Sequence, residues 1–237
     1  LQEGYGQFGA FIATDGSAES LYAFTVDWRG ELCASAAPLI ARAASTITRY
    51  EVSSTDWLEG QVWALYGRAL VNVRASFGET KEIRQTAVSL AGDVVTDFGL
   101  YDGYYPGDVQ YGWYVSDTDG DENRVVLFRL SADGNMLRKE IPGVGKDATV
   151  SFDAGLYQTP RFMIREGNAL TGFEATETGI ERIADFVAPG VVRDCVIWKG
   201  LSGTRAVIVY RSGSTDTLAY SGDIRVSDPD FLTLTTS

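Results

Sequence analysis

Hydrophobic and polar positions along the chain alternate in short runs that predict β-strands and give almost no sign of a helix. The runs are separated by Gly, Asp, Asn and Ser, which favour turns because they adopt or stabilise turn conformations of the backbone. Residues 21–35, LYAFTVDWRGELCAS, are typical, with a strand, a reversal at 28–31 and a second strand. The pattern predicts an all-β protein built from hairpins.

The same hairpin plan recurs five times, and another short apolar strand precedes each hairpin. The reversals of the five hairpins lie near residues 28–31, 77–79, 131–135, 176–179 and 212–214. A loose period of about 40–50 residues with several short strands per unit is typical of a β-propeller. We therefore predict a propeller of five blades, each with three to four antiparallel strands. A β-sandwich, which also uses many short strands, is the alternative.

The two ends of the chain bear on how such a ring would close. The first unit starts at 6–14 without an inner strand of its own, whereas residues 48–52 would fill that position in the second unit. The C-terminal tail carries strand-like residues at 223–226 and 231–235. Because an open sheet edge would otherwise remain, we expect a C-terminal strand to complete the first blade.

Length and composition limit the class of protein. A chain of 237 residues is long enough for one all-β domain, so we predict a single domain over 1–237. Its first residue is Leu1 rather than Met, which fits either a processed chain or a domain cut from something longer. No apolar run approaches the roughly 20 residues that cross a bilayer, so we expect no membrane insertion.

Charge and the lack of histidine make most enzyme classes unlikely candidates for this chain. The net charge is −12, and this argues against nucleic-acid partners, whose binding depends on clustered Lys and Arg. Without histidine there is no imidazole for Ser-His-Asp or Cys-His catalysis, nor for most zinc and copper sites. Cys33 and Cys195 are expected to be small buried apolar residues that do not pair. We predict a protein that is not an enzyme and binds no cofactor, calcium being the exception considered next.

An acidic segment, DTDGD at 117–121, interrupts one predicted hairpin. Calcium prefers six to eight oxygen ligands, and Asp117, Asp119, Asp121 and Asn123 would supply several of them. The segment resembles the acidic loops of some extracellular propellers, and that resemblance implies a calcium site. The flanking residues are predicted strands, which excludes the helix-loop-helix type of calcium loop. The alternative, which we prefer, is a turn rich in Asp and Gly that binds nothing.

A second candidate is the aromatic segment at 100–115. Tyr104 and Tyr105 lie in a predicted loop beside Asp102 and Asp108. Tyrosine rings stack on sugar faces while carboxylates accept hydroxyl hydrogen bonds, and the same residues also suit a protein partner. Three further aromatic residues lie on a predicted strand and are expected to pack in the core: Tyr111, Trp113 and Tyr114.

A third candidate is a set of acids at comparable positions near predicted inner strands: Glu51, Asp97, Asp153 and Asp194. Carboxylates about 5–10 Å apart would suit glycoside hydrolysis. The alternative, which we favour, is that these acids bond to backbone amides or pair with Arg49 and Arg193.

These observations predict a non-enzymatic structural or interaction module that binds neighbouring proteins in an assembly. The acidic, histidine-free composition suits a virion component, such as a phage tail or fibre protein, or an extracellular or cell-surface appendage; phage tail and fibre proteins include propeller domains. The alternative function is a carbohydrate-binding, lectin-like propeller that uses the loop of Tyr104 and Tyr105. A propeller glycosidase is the third and least favoured function.

Overall fold

The computed structural model describes most of the chain as antiparallel β-structure, with no helix in the described ranges. The described residues are 7–27, 29–35, 37–43, 46–54, 59–77, 83–101, 109–117, 122–146, 148–152, 160–200, 203–221 and 234–236. Within them the strands form five four-stranded sheets, which we name sheets A to E in chain order. The repeating all-β class predicted for a β-propeller is therefore confirmed.

The strands have the following bounds. Sheet A contains β1 (Gln7–Asp15), β2 (Ala18–Val26), β3 (Leu32–Ala34) and β4 (Ile40–Ala43). Sheet B contains β5 (Ile47–Ser54), β6 (Glu59–Tyr66), β7 (Ala69–Ser76) and β8 (Ile83–Ala87). Sheet C contains β9 (Val94–Leu100), β10 (Gln110–Asp117), β11 (Glu122–Leu130) and β12 (Met136–Gly145). Sheet D contains β13 (Thr149–Phe152), β14 (Arg161–Glu166), β15 (Ala169–Ala175) and β16 (Ile180–Val187). Sheet E contains β17 (Val191–Gly200), β18 (Gly203–Ser212), β19 (Thr215–Ser221) and β20 (Leu234–Thr236).

Sheets B to E are meanders in which each strand pairs with the next one along the chain. Sheet A differs, because β3 and β4 both pair with β2 and share one outer position. Among the described residues, β1 is the first strand of sheet A, and it pairs with β2. Four of the hairpins turn on two residues with a left-handed glycine first: Gly16, Gly67, Gly167 and Gly213. Such turns match the right-handed twist of the paired strands.

The C-terminal strand lies elsewhere than we expected. β20 pairs with β19 and becomes the fourth strand of sheet E, so it does not complete the first sheet. The physical reason is that β19 offers an unpaired edge to the strand that follows it, and consecutive strands usually pair. The other strand-like tail segment, 223–226, lies outside the described residues. Closure of the blades into a ring therefore stays a prediction.

The chain divides into two compact units, Leu1–Phe98 and Gly99–Ser237. In the first unit, the apolar faces of sheets A and B form one core: Phe8, Leu21, Ala23, Val62 and Val73 are among its buried side chains. In the second unit, one core joins sheets C and D around Val125, Leu127, Phe162 and Phe173. Another joins sheets D and E around Met163, Leu170, Cys195 and Ile208. On β2, for example, period-two alternation places Leu21 and Ala23 in the core.

Two glycines allow aromatic rings to lie flat on the backbone of the neighbouring strand. Gly9 stands opposite Phe24 and Gly112 stands opposite Phe128. A Cβ atom at either glycine would lie 2.4 Å from a carbon of the facing ring. The ring therefore fills the space that a side chain would take, and any larger residue must displace it. The repeated pairing fits the short echo between FGAF at 8–11 and YGWY at 111–114.

Candidate functional site

One polar constellation among the described residues joins three side chains and is centred on Arg49, on the first strand of sheet B. Its Nη2 donates to Glu51 Oε1 on the same strand, and its Nη1 donates to Asp97 Oδ1 on β9. The three side chains are 43%, 29% and 52% exposed, in the order Arg49, Glu51, Asp97. We name these three residues the Arg49 cluster. All three belong to the first compact unit.

A buried aromatic ring supports the guanidinium of this cluster. The Cζ atom of Arg49 lies 4.8 Å from the ring centroid of Phe98, a distance that allows a cation–π interaction. The backbone N–H of Phe98 also donates to Asp97 Oδ1 at 2.9 Å. Arg49 is therefore held by two carboxylates and one ring, while much of its side chain stays accessible to solvent.

The cluster combines fixed donors with fixed acceptors on an accessible surface. A guanidinium has five N–H donors in a rigid fork, and an ionised carboxylate only accepts hydrogen bonds. A molecule with neighbouring hydroxyl groups meets both needs, since each hydroxyl both donates and accepts. Strand geometry explains the contact between Arg49 and Glu51, because residues that are two apart on one strand have side chains on the same face.

The acids from the predicted inner strands are engaged much as the favoured alternative expected. Glu51 and Asp97 pair with Arg49. Asp194 Oδ1 accepts a hydrogen bond from the backbone N–H of Cys195 at 2.8 Å. Asp153 lies outside the described residues. Arg193 contributes its backbone carbonyl to Arg165 Nη1.

Of the four predicted calcium ligands, the structure describes Asp117 and Asn123. Asp117 and Asn123 are cross-strand partners in the hairpin of β10 and β11, so their side chains point to the same face. Asp117 Oδ1 accepts a hydrogen bond from Lys146 Nζ at 3.1 Å, and Asn123 is buried. Asp119 and Asp121 lie outside the described residues. Within the described ranges, no group of three or more His, Cys, Asp or Glu residues could hold a metal ion.

Asp102, Tyr104, Tyr105 and Asp108 all lie outside the described residues, so their role stays a prediction. The strand aromatics next to them behave as expected. Tyr111 and Tyr114 are buried, and Trp113 packs partly buried against the core of sheets C and D.

The two cysteines occupy different environments, and both are free thiols. Cys195 is buried in the core of sheets D and E, as predicted. Burial, with a smaller contribution from Asp194, raises the pKa of the Cys195 thiol to about 12. Cys33 is exposed, so its predicted burial is wrong. It lies on β3, a strand of three residues, and pairing with β2 leaves its side chain open to solvent.

Sequence reasoning missed an aromatic surface on sheet A. The rings of Phe11 and Tyr22 stack with centroids 5.3 Å apart and an interplanar angle of 11°, and Phe24 lies 6.3 Å from Phe11. Phe11 is 39% exposed and Leu32 is 67% exposed. We name Phe11, Tyr22, Phe24 and Leu32 the aromatic face. The signal was present, because alternation in β1 and β2 puts these rings opposite the apolar face that packs on sheet B.

Comparisons with known proteins find similarity in structure but not in sequence. No protein-family model matches the chain, and no curated protein matches its sequence. A solved structure of an Aleuria aurantia lectin mutant in complex with alpha-methyl-L-fucoside is similar with a TM-score of 0.47. The alignment covers 98% of this chain and 78% of the lectin chain, at 10% sequence identity. Among the described residues, no helix is long and apolar enough to cross a membrane.

Proposed function

We propose that this chain is a non-enzymatic carbohydrate-binding protein and that the Arg49 cluster is part of its binding site. The observation that carries the proposal is an accessible guanidinium held between two carboxylates. This arrangement presents donors and acceptors side by side, which is the pattern that pairs of sugar hydroxyls satisfy.

The fixed position of Arg49 favours binding for an energetic reason. Ordering a long side chain on binding costs about 0.5–1.5 kcal/mol, and two carboxylates and the Phe98 ring have already ordered this one. Hydrogen bonds to charged groups are also stronger than those between neutral groups. Binding therefore requires little rearrangement of the protein.

The test is a glycan-array screen of the wild-type chain and of Arg49→Ala, each with millimolar calcium and with EDTA. We expect reproducible binding by the wild type and its loss in Arg49→Ala. Arg182→Ala is the matched control, because Arg182 pairs with Asp185 on the surface of sheet D but lies outside the cluster. Wild-type silence on the array, or equal binding by Arg49→Ala, would overturn the proposal.

The two calcium conditions separate the proposed site from the acidic segment at 117–121. Binding that persists in EDTA supports the Arg49 cluster acting without a metal. Binding that vanishes in EDTA would assign it to the calcium loop instead. A parallel assay with chromogenic glycosides tests the non-enzymatic part, and turnover that depends on Glu51 or Asp97 would contradict it.

The aromatic face favours a second candidate function, which is assembly with protein neighbours. A stacked ring pair with Phe11 exposed, together with a 67% exposed Leu32, is typical of surfaces that another protein covers. Light scattering across a concentration series would test self-association, with Leu32→Glu as the disrupting variant. A location in a virion or at a cell surface is part of this second proposal.

A further inference from the structure

The charges around Arg49 indicate which carbohydrates the site would accept. We propose that the Arg49 cluster selects neutral glycans with adjacent hydroxyl groups and rejects glycans that carry a carboxylate or sulfate at the bound position. This inference rests on the proposed function and adds the chemical class of the ligand.

The first argument is the charge balance of the cluster. Arg49 contributes one positive charge, and Glu51 and Asp97 contribute two negative charges, so the three groups sum to −1. A further carboxylate, that of Glu19, accepts a hydrogen bond from the backbone N–H of Ile47 at 2.7 Å, at the start of the same strand. The whole chain carries −12, which adds a repulsive field for anions.

The second argument is geometric. Both carboxylates lie within hydrogen-bond distance of the guanidinium, so an acidic group that reaches Arg49 also approaches Glu51 and Asp97. One attraction then stands against two repulsions at similar distances. An acidic ligand at Arg49 would therefore compete with the two carboxylates for the guanidinium, whereas a neutral hydroxyl carries no charge for them to repel.

The third argument concerns hydrogen-bonding capacity. An ionised carboxylate can only accept hydrogen bonds, so an acidic ligand offers no proton to Glu51 or Asp97. A hydroxyl group donates to a carboxylate and accepts from the guanidinium at the same time. Two adjacent hydroxyl groups therefore satisfy the cluster, and a carboxylate or sulfate leaves two of its three members without a partner on the ligand.

The experiment compares neutral glycans that bind in the array with the same glycans bearing terminal sialic acid or sulfate. We expect the wild type to bind the acidic form at least tenfold more weakly at 50 mM salt. The difference in affinity between the neutral and the acidic form should become smaller at 500 mM salt, because salt screens repulsion between exposed charges.

A charge variant tests the cause of the selectivity. Glu51→Gln combined with Asp97→Asn changes the sum of the cluster from −1 to +1 while keeping side-chain size. We expect the ratio of acidic to neutral binding to rise at least tenfold in this variant. Glu181→Gln combined with Asp185→Asn, on sheet D, changes the net charge equally and should leave the ratio unchanged.

Three outcomes would overturn the inference. Equal wild-type binding of neutral and acidic forms would remove the selectivity but leave the carbohydrate function standing. If the ratio of acidic to neutral binding is unchanged in the variant with both carboxylates replaced, the two carboxylates do not cause the selectivity. If the cluster variant fails to fold, the salt series replaces it as the test of the cause. A difference in wild-type binding between neutral and acidic glycans that does not change with salt would then show that charge is not the cause. Absence of any glycan binding overturns the proposed function as well, so the two failures are distinguishable.

Discussion

Two ion-paired sites in this protein use the same residue types in different surroundings. In sheet D, Arg161 Nε lies 3.1 Å from Glu174 Oε1 on the neighbouring strand, and the two side chains are 9% and 18% exposed. In the Arg49 cluster, the corresponding side chains are 43%, 29% and 52% exposed. Arginine and carboxylate make both sites, but burial separates them.

The difference in burial gives the two sites different roles. A buried pair has lost its water, so removing one partner leaves a desolvated charge behind and destabilises the fold. An exposed pair keeps much of its hydration and contributes about 0–1 kcal/mol to stability. Its polar atoms stay accessible, so they are available to a ligand. The predictions below test this contrast, from the largest expected effect to the smallest.

The buried pair gives the largest expected effect on stability. Arg161→Met removes the guanidinium whose Nε lies 3.1 Å from Glu174 Oε1, and we expect a loss of about 3–5 kcal/mol in the free energy of unfolding. Urea unfolding measures this loss. Combining Arg161→Met with Glu174→Leu should recover most of it, because no isolated charge remains. A single variant as stable as the wild type would show that the pair is not structural.

The contrast between buried and open positions extends to glycine. Gly112→Ala places a Cβ atom 2.4 Å from Phe128 and 2.8 Å from the carbonyl oxygen of Gly99. We expect a loss of about 1–3 kcal/mol, because neither a packed ring nor a backbone atom moves freely. Gly179→Ala is the control, since its Cβ would meet nothing within 4 Å. Thermal unfolding of both variants checks the prediction, and equal melting temperatures would contradict it.

The buried thiol predicts a dependence of stability on pH. The pKa of Cys195 is raised from 9.0 to about 12, so between these values the unfolded chain loses a proton that the folded chain keeps. The protonated thiol therefore contributes to the free energy of unfolding, and this contribution is fully present below pH 9. Above pH 9 it falls by about 1.4 kcal/mol per pH unit. Denaturant unfolding from pH 8 to 10.5 should show this slope as the difference between the wild type and Cys195→Ala. Parallel curves for the two proteins would refute it.

Loss of the exposed arginine should affect stability least. Arg49→Ala is expected to change the free energy of unfolding by less than about 1 kcal/mol, and under the proposed function it should also abolish glycan binding. Chemical unfolding, measured beside the array, separates the two effects. A loss as large as that of Arg161→Met would mean that the Arg49 cluster is structural too.

An effect on calcium affinity rather than on stability is expected at the acidic segment, where a lysine competes for a predicted calcium ligand. Lys146→Met removes the cation that lies 3.1 Å from Asp117 Oδ1, so calcium affinity should rise by roughly tenfold. Calorimetric titration measures the change, with Lys139→Met on β12 as the control of equal charge. If neither protein takes up calcium, the segment is an unoccupied turn.

Much of the fold could be predicted from the sequence, because strand and turn signals are local. Alternation places apolar residues on one face of β1 and β2, and glycines mark the tight turns at Gly16 and Gly67. The favoured role of the inner acids was also within reach, since Arg49 and Glu51 are two residues apart on one strand. The position of β20 was not, because β1 and β19 both offered a sheet edge and the hydrophobic pattern does not distinguish them.

The sequence by itself determined the strands, the turns and the excess of negative charge, since these depend on residues close together in the chain. Only the tertiary structure decided which charges meet and which are buried. Asp97 reaches Arg49 across 48 residues, and Arg161 meets Glu174 inside sheet D. The physical reason is that burial and hydrogen-bond geometry depend on how sheets pack, and residues distant in the chain set that packing. The same pair of residue types therefore became a structural contact in one place and an accessible candidate binding site in another.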